Sequence, residues 1–158
     1  MQYVVETAEE MRAIGSALGR TAQPGDVLWL HGELGAGKTE MTKGIAGGLE
    51  ARDHVSSPSF ALIHEYRAGR LLLFHIDLYR LDTDAAQDLG LEDYLEGDGV
   101  TVIEWGERLP HTYFLDGLDI DISFLDSDDA RRLIFRPRGC AGVAWFARAQ
   151  VNITWLPE

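Results

Sequence analysis

The stretch Gly32-Glu33-Leu34-Gly35-Ala36-Gly37-Lys38-Thr39 decides the fold. A Gly, four residues and then Gly-Lys-Ser/Thr is the pattern of a phosphate-binding loop. Gly32, Gly35 and Gly37 can take backbone angles closed to other residues, so successive N–H groups can turn inward around an anion. Lys38 is placed to reach β- and γ-phosphates, and the Thr39 hydroxyl to ligate Mg²⁺. A helix starting near Lys38 would aim its positive end, about half an elementary charge, at the same phosphates. The flanks supply the context the loop needs. Asp26 to His31 is an apolar strand after the turn pair Pro24-Gly25, and Thr39 to Leu49 places Met41, Ile45 and Leu49 on one helical face.

The 158 residues suffice for one domain, residues 1–158, burying roughly 70% of the unfolded surface. With 46% hydrophobic and 25% charged residues the composition is that of a globular protein. No run of 18 apolar residues predicts a membrane span, and Met1 to Glu6 lacks the basic start and apolar core of a signal peptide. A single cysteine, Cys140, leaves no internal disulfide and no cysteine knuckle, so a reducing cytoplasm is expected. The net charge of −12 argues against a broad basic nucleic-acid footprint. An acidic surface serves solubility or docks a basic partner.

Outside the loop, Tyr3 to Val5 reads as a short edge strand. Thr7-Ala8-Glu9-Glu10 is a capping box opening a helix lined by Met11, Ile14 and Leu18 and stopped at Gly19. Ser56 to Phe60 is a loop, because Pro58 biases Ser57 to extended geometry. Phe60 to Tyr66 and Leu71 to Asp77 flank Arg67-Ala68-Gly69-Arg70 as a β-hairpin. An α/β fold of three layers with a mixed, partly antiparallel central sheet follows. Asp84 to Leu89 and Leu91 to Leu95 read as short helical turns, and Val100 to Glu104 as an apolar strand ending in a carboxylate. Leu118 to Leu125 pairs with Arg131 to Arg136 across an acidic turn. Gly142 to Ala149 reads as helix or strand, and Val151 to Trp155 as an added strand.

Hydrolysis at a phosphate loop needs a carboxylate near the metal, usually at a neighbouring strand end. Glu104 is the first candidate and Asp77 the second. His75 shares a face with Asp77 and reads as a packed histidine or a hydrogen-bond partner near the site, since no third ligand for zinc is nameable. Trp105 stacks on a ligand, gates the site or fills core. Arg131, Arg132, Arg136 and Arg138 form the only basic cluster, either a solvated strand face or a contact for nucleotide phosphate or tRNA.

Four blocks together, Gly32 to Thr39, Ser57-Pro58-Ser59-Phe60, His75-Ile76-Asp77-Leu78-Tyr79-Arg80 and Glu104-Trp105, resemble one family. It is the small bacterial ATPase family of tRNA threonylcarbamoyladenosine biosynthesis, TsaE, formerly YjeE. The resemblance covers about Thr7 to Arg136. It implies a slow, Mg²⁺-dependent ATP hydrolysis that resets a complex with TsaD-like and TsaB-like partners, which modifies adenosine 37 of tRNA. It implies catalytic roles for Lys38, Asp77 and Glu104, and Mg²⁺ held by Thr39 and Glu104. Nucleotide contact is implied along Gly32, Glu33, Leu34, Gly35, Ala36, Gly37, Lys38, Thr39 and Glu40, with Thr7, Ser59, Trp105 and Arg131. The Ser57 to Phe60 loop would sense the γ-phosphate, with Ser59 standing for the usual Thr. Any contact with tRNA is expected to be local or indirect.

One position departs from the family. Two hydroxyl residues usually follow the lysine, and here the second is Glu40. A carboxylate about 5 Å from a phosphate charge at an effective dielectric of 20 costs about 3 kcal/mol. Glu40 is therefore expected to turn outward, be neutralised by a nearby Arg, or weaken nucleotide binding, and the first is the expectation adopted. A small-molecule kinase is the rival enzyme reading, disfavoured because only Arg80 lies between Asp77 and Glu104 and no lid-like Arg run is present. A non-catalytic, nucleotide-dependent interaction module would share every residue named.

Overall fold

The computed structural model describes residues 1–52, 62–114, 116–126 and 129–153. Seven strands form one sheet in the order β1-β7-β6-β2-β5-β4-β3. They are β1 (Gln2–Val5), β2 (Val27–His31), β3 (Ile63–Tyr66), β4 (Leu73–Asp77), β5 (Val100–Glu104), β6 (Gly117–Phe124) and β7 (Arg131–Arg138). The centre is parallel: β2 lies between β5 and β6, and β4 runs beside β5. Both flanks are antiparallel, β3 on β4 at one side and β6, β7, β1 at the other. The mixed sheet expected from the hairpin is thus observed, with β1 at an edge.

Alternation along the strands sorts two cores. Leu28, Leu30, Val102, Leu118, Ile120 and Leu133 face helices α1 (Ala8–Thr21), α2 (Lys38–Gly48) and α5 (Gly139–Ile153). Trp29, Ile76 and Ile103 face the other way, against Ala86 of α3 (Thr83–Gln87), with Leu95 of α4 (Glu92–Leu95) packed on the same cluster. Pro137 is tolerated in β7 because β1 ends opposite Ile134, leaving no neighbour to miss its N–H on that side.

Three local expectations are corrected. Gly19 does not stop the first helix, which runs to Thr21. Gly15 and Gly19 instead meet Gly44 and Gly48 of α2 so closely that a Cβ on Gly15 would lie 2.3 Å from the Met41 carbonyl oxygen, and one on Gly44 2.2 Å from that of Arg12. The capping box is displaced by one residue: Thr7 accepts from the Glu10 N–H at 3.1 Å, but Glu10 answers to the N–H of Glu6 rather than Thr7. The C-terminal segment is one helix, and Val151 to Ile153 belong to it, not to a strand. Its buried residues Gly142, Trp145, Ala149 and Ile153 recur at helical spacing, and Trp145 donates its indole N–H to the Leu18 carbonyl at 3.2 Å. The final residues of the predicted strand, Thr154 and Trp155, lie outside the described residues.

Candidate phosphate-binding and hydrolysis site

The loop leaves the C-terminal end of the central strand β2 and enters α2 directly. Its glycines take the left-handed angles the motif requires: φ is 79° at Gly35 and 115° at Gly37, the residue that caps α2. A Cβ at Gly35 would meet nothing within 4 Å, so its demand there is conformational. Gly37 is also packed, with Met11 Cε 3.0 Å from a built Cβ. The α2 N-terminus carries no side-chain cap, so its first N–H groups are available to an anion.

Lys38 is buried and folds back over the loop. Its ammonium donates to the carbonyl oxygens of Gly32 at 2.5 Å and Glu33 at 3.1 Å, and lies 4.7 Å from the centre of the Trp105 ring. Burial pulls its pKa down, against the opposing pull of the Glu104, Asp77 and Glu107 carboxylates. Trp105 has a left-handed backbone (φ 59°, ψ 38°) at the turn from β5 into a short 3₁₀ segment, Gly106–Arg108. A non-glycine residue held there costs about 1 kcal/mol or more. Its ring packs at 4.9 Å on Tyr79, lies over Lys38 and packs against the core of Trp29, Ile76 and Ile103, so of its three readings core filling is the one observed, at the rim of the cleft.

The two carboxylates predicted at strand ends do come together. Asp77 and Glu104 are register partners on the parallel strands β4 and β5, and both face the α1–α2 side of the sheet with Leu30. They are 8% and 3% exposed, so neither charge is fully solvated. Burial pushes the Asp77 carboxyl up, and the neighbouring Glu104 charge adds to this. The Tyr79 N–H, bonded to Asp77 at 2.9 Å, opposes it, as do His75 and Lys38. His75 is completely buried, and its Nε2 lies 2.7 Å from Oε2 of Glu104. Both of its sequence readings are observed: it is packed, and it is a hydrogen-bond partner at the site.

Leu34, Gly35, Gly37, Lys38, Thr39, Glu40, Asp77, Tyr79, Arg80, Glu104 and Trp105 line a cleft of about 470 Å³. A second cleft of about 440 Å³ adjoins it through Gly35, Gly37 and Glu40 and is lined also by Thr7, Ala36 and Arg131. Residues drawn from 125 positions of sequence thus border one continuous pair of hollows around the loop. Arg131 sits 4.2 Å over the Phe124 ring. The other arginines of the basic cluster do not join it. Arg132, Arg136 and Arg138 alternate to the opposite sheet face, where Arg136 pairs with Asp121 and Arg138 with Asp119. Ser59, with the whole Ser57 to Phe60 switch expectation, lies outside the described residues.

Glu40 corrects an expectation. It does not turn out into solvent but borders both clefts, where it is neutralised: Arg12 of α1 donates to one carboxylate oxygen and Lys43 to the other at 2.8 Å. The Lys43 hydrogen bond, then that of Arg12, holds its carboxyl below the usual range. Sequence reasoning missed Arg12, because nothing in a run read as a packing helix marks one exposed Arg as the partner of a residue 28 positions away.

The donor set fits magnesium. Thr39 and the carboxylates offer hard oxygens only, phosphates can complete an octahedral shell, and a cation would relieve the repulsion between Asp77 and Glu104. Among the described residues no group of three or more His, Cys, Asp or Glu is arranged to hold a metal ion by itself.

Residues 5–134 match the model of the family described as threonylcarbamoyl adenosine biosynthesis protein TsaE. A tRNA threonylcarbamoyladenosine biosynthesis protein TsaE of Bacillus subtilis is 44% identical over 131 residues, covering 83% of this chain and 82% of its own. A protein of the same description from Mycobacterium bovis is 36% identical over 132 residues, covering 78% of this chain and 79% of its own. The crystal structure of Bacillus subtilis YdiB superposes with a TM-score of 0.81 at 36% identity, covering 96% of this chain and 94% of that one.

Proposed function

The chain belongs to the threonylcarbamoyl adenosine biosynthesis protein TsaE family, and from that membership we propose that it is a magnesium-dependent ATPase serving tRNA threonylcarbamoyladenosine formation. The observation that carries the proposal is the arrangement around Lys38: a phosphate loop at the end of β2, with the Asp77–Glu104 pair across the same cleft. A kinase would share the loop, but no Arg-bearing lid borders the cleft among the described residues, where the only lining arginine is Arg80.

Thr39 and Glu104 would hold the Mg²⁺, which supplies charge neutralisation of the phosphates when bound. The loop N–H groups and the α2 N-terminus would cradle the β- and γ-phosphates, and Lys38 would swing from the Gly32 and Glu33 carbonyls to reach them. Asp77, its carboxyl pushed up by burial, is placed to accept a proton or orient the attacking water. Trp105 and Tyr79 would wall the phosphates from bulk water. The second cleft, with Thr7 and Arg131 on its rim, would take the nucleoside end. TsaD-like and TsaB-like proteins are the proposed partners, with tRNA reached through them. Among the described residues no helix is long and apolar enough to cross a membrane, and a cytoplasmic site of action is part of the proposal.

The test is reconstitution of tRNA threonylcarbamoylation with the two partner proteins, tRNA, the threonylcarbamoyl donor and ATP. Wild-type protein should sustain repeated rounds of modification, and Lys38→Ala should not. Equal product from both, over many turnovers, would refute the role of the phosphate loop.

A further inference from the structure

The fully buried His75 is joined to the catalytic pair by one contact that the functional reading does not use. Its Nε2 lies 2.7 Å from Oε2 of Glu104, and its Nδ1 is buried with no hydrogen-bond partner among the described residues. A carboxylate oxygen can only accept, so Nε2 carries the proton and donates it. A buried ring nitrogen left without a partner is destabilising, so packing alone is better served by an apolar side chain of the same volume, and the ring's single hydrogen bond falls on Glu104. The backbone makes the contact local: His75 and Asp77 project from the same face of β4, beside Val102 and Glu104 on β5.

Among the carboxylates around Lys38, Glu104 is the foremost in supporting its ammonium. Lys38 nevertheless donates to the Gly32 and Glu33 carbonyls and to neither carboxylate. With Oε2 tied to His75, Glu104 keeps Oε1 as its free oxygen.

We propose that His75 is a positioning residue that pins Glu104 through Oε2, keeping its other oxygen available to the divalent cation. The proposal rests on the assignment of Glu104 to Mg²⁺. It predicts a defect confined to the cation-dependent part of nucleotide binding, because the loop, Lys38 and the α2 N-terminus do not depend on His75. Removing a hydrogen-bond partner of a metal ligand typically weakens metal affinity or activity by about 10–100-fold.

The experiment is calorimetric titration with a non-hydrolysable ATP analogue, in EDTA and at graded Mg²⁺, for wild type, His75→Leu and His75→Gln. Leu removes the donor while filling the space, and Gln places an amide N–H near the position of Nε2. The expected result is affinity within about 2-fold of wild type in EDTA for both variants. His75→Leu should need about 10–100-fold more Mg²⁺ for half-maximal enhancement, and His75→Gln should recover most of it. If His75→Leu does not fold, His75→Asn, too short to reach Glu104, takes its place. A wild-type Mg²⁺ response retained in full by His75→Leu, or a loss equally large in EDTA, would overturn the positioning role alone. No Mg²⁺ response in the wild type would overturn the underlying assignment of Glu104 as well.

Discussion

At the scale of single residues, Glu40 shows how a substitution that looks hostile to a phosphate site is contained. Its charge is shared between Arg12 and Lys43, so the repulsion of about 3 kcal/mol set by Coulomb's law at 5 Å is largely removed before nucleotide arrives. Arg12→Ala should weaken ATP binding by up to about 100-fold, the equivalent of that repulsion, and adding Glu40→Thr should restore it. Isothermal titration of the single and double variants checks this, and an unaffected single variant would mean the carboxylate never faces phosphate. Asp77 gives the second prediction. Its folded-state pKa is raised by burial, so this group favours folding most when protonated, below its unfolded pKa, and that contribution is lost as pH rises through the raised folded value. At neutral pH its ionised form is a cost. Asp77→Asn should therefore raise the melting temperature at pH 7 relative to wild type while abolishing ATP turnover, and the gain should shrink as pH falls toward the ordinary carboxylate range. Calorimetric scans across pH measure it. The loop, Asp77 and Glu104 were legible in the sequence because each is marked by its neighbours: a glycine spacing, or an apolar run ending in an acid. The pairings Arg12–Glu40 and His75–Glu104 were not, because each joins residues that only the packed sheet and helices bring within reach.

At the scale of elements, the same residue type carries opposite meanings. Glycine stops helices when read locally, and Gly19 was read so. In the structure Gly15, Gly19, Gly44 and Gly48 form a seam that lets α1 and α2 approach until backbone touches backbone. The seam has a functional consequence, since α1 brings Thr7 and Arg12 to the site while α2 begins at the phosphate loop. Gly15→Ala would set a Cβ 2.3 Å from the Met41 carbonyl oxygen, and backbone cannot step aside as a side chain can. The variant should lose about 1–3 kcal/mol, more than the gain of up to about 1 kcal/mol in helix propensity. Gly47 is the internal control: a Cβ there meets nothing within 4 Å. Gly47→Ala should be stabilising by about 0.5–1 kcal/mol, raising the melting temperature by about 2–4 °C per kcal/mol in a chain of this size. Thermal melts of both variants decide it, and equal effects of the same sign would contradict the packing seam. In the sequence, Gly142 to Ala149 of the last helix α5 reads as helix or strand for a related reason. Its buried face is built from Gly142, Trp145, Ala149 and Ile153, too small and too mixed to stand out beside the β-branched Val143 and Val151 on its exposed side.

At the scale of the whole molecule, one sheet separates two tasks. Its C-terminal edge gathers the phosphate loop, the carboxylate pair and the aromatic wall, while the opposite face is closed by short helices over Trp29, Ile76 and Ile103. Against an overall charge of −12, the clefts around the loop are lined by the basic groups Lys38, Arg80 and Arg131. The layered α/β architecture with its antiparallel flanks was readable from one motif and two hairpins, since each fixes the direction of the strands beside it. The central claim is that the Asp77–Glu104 pair beside the phosphate loop makes this chain an ATPase. It is tested most directly by phosphate release from ATP by purified protein, wild type against Glu104→Ala, alone and with the TsaD-like and TsaB-like partners plus tRNA. Slow wild-type turnover that the partners alter, and that Glu104→Ala abolishes with ATP binding in EDTA intact, is the predicted result. Bound ATP with no turnover under any condition, or turnover indifferent to Glu104→Ala, would contradict it.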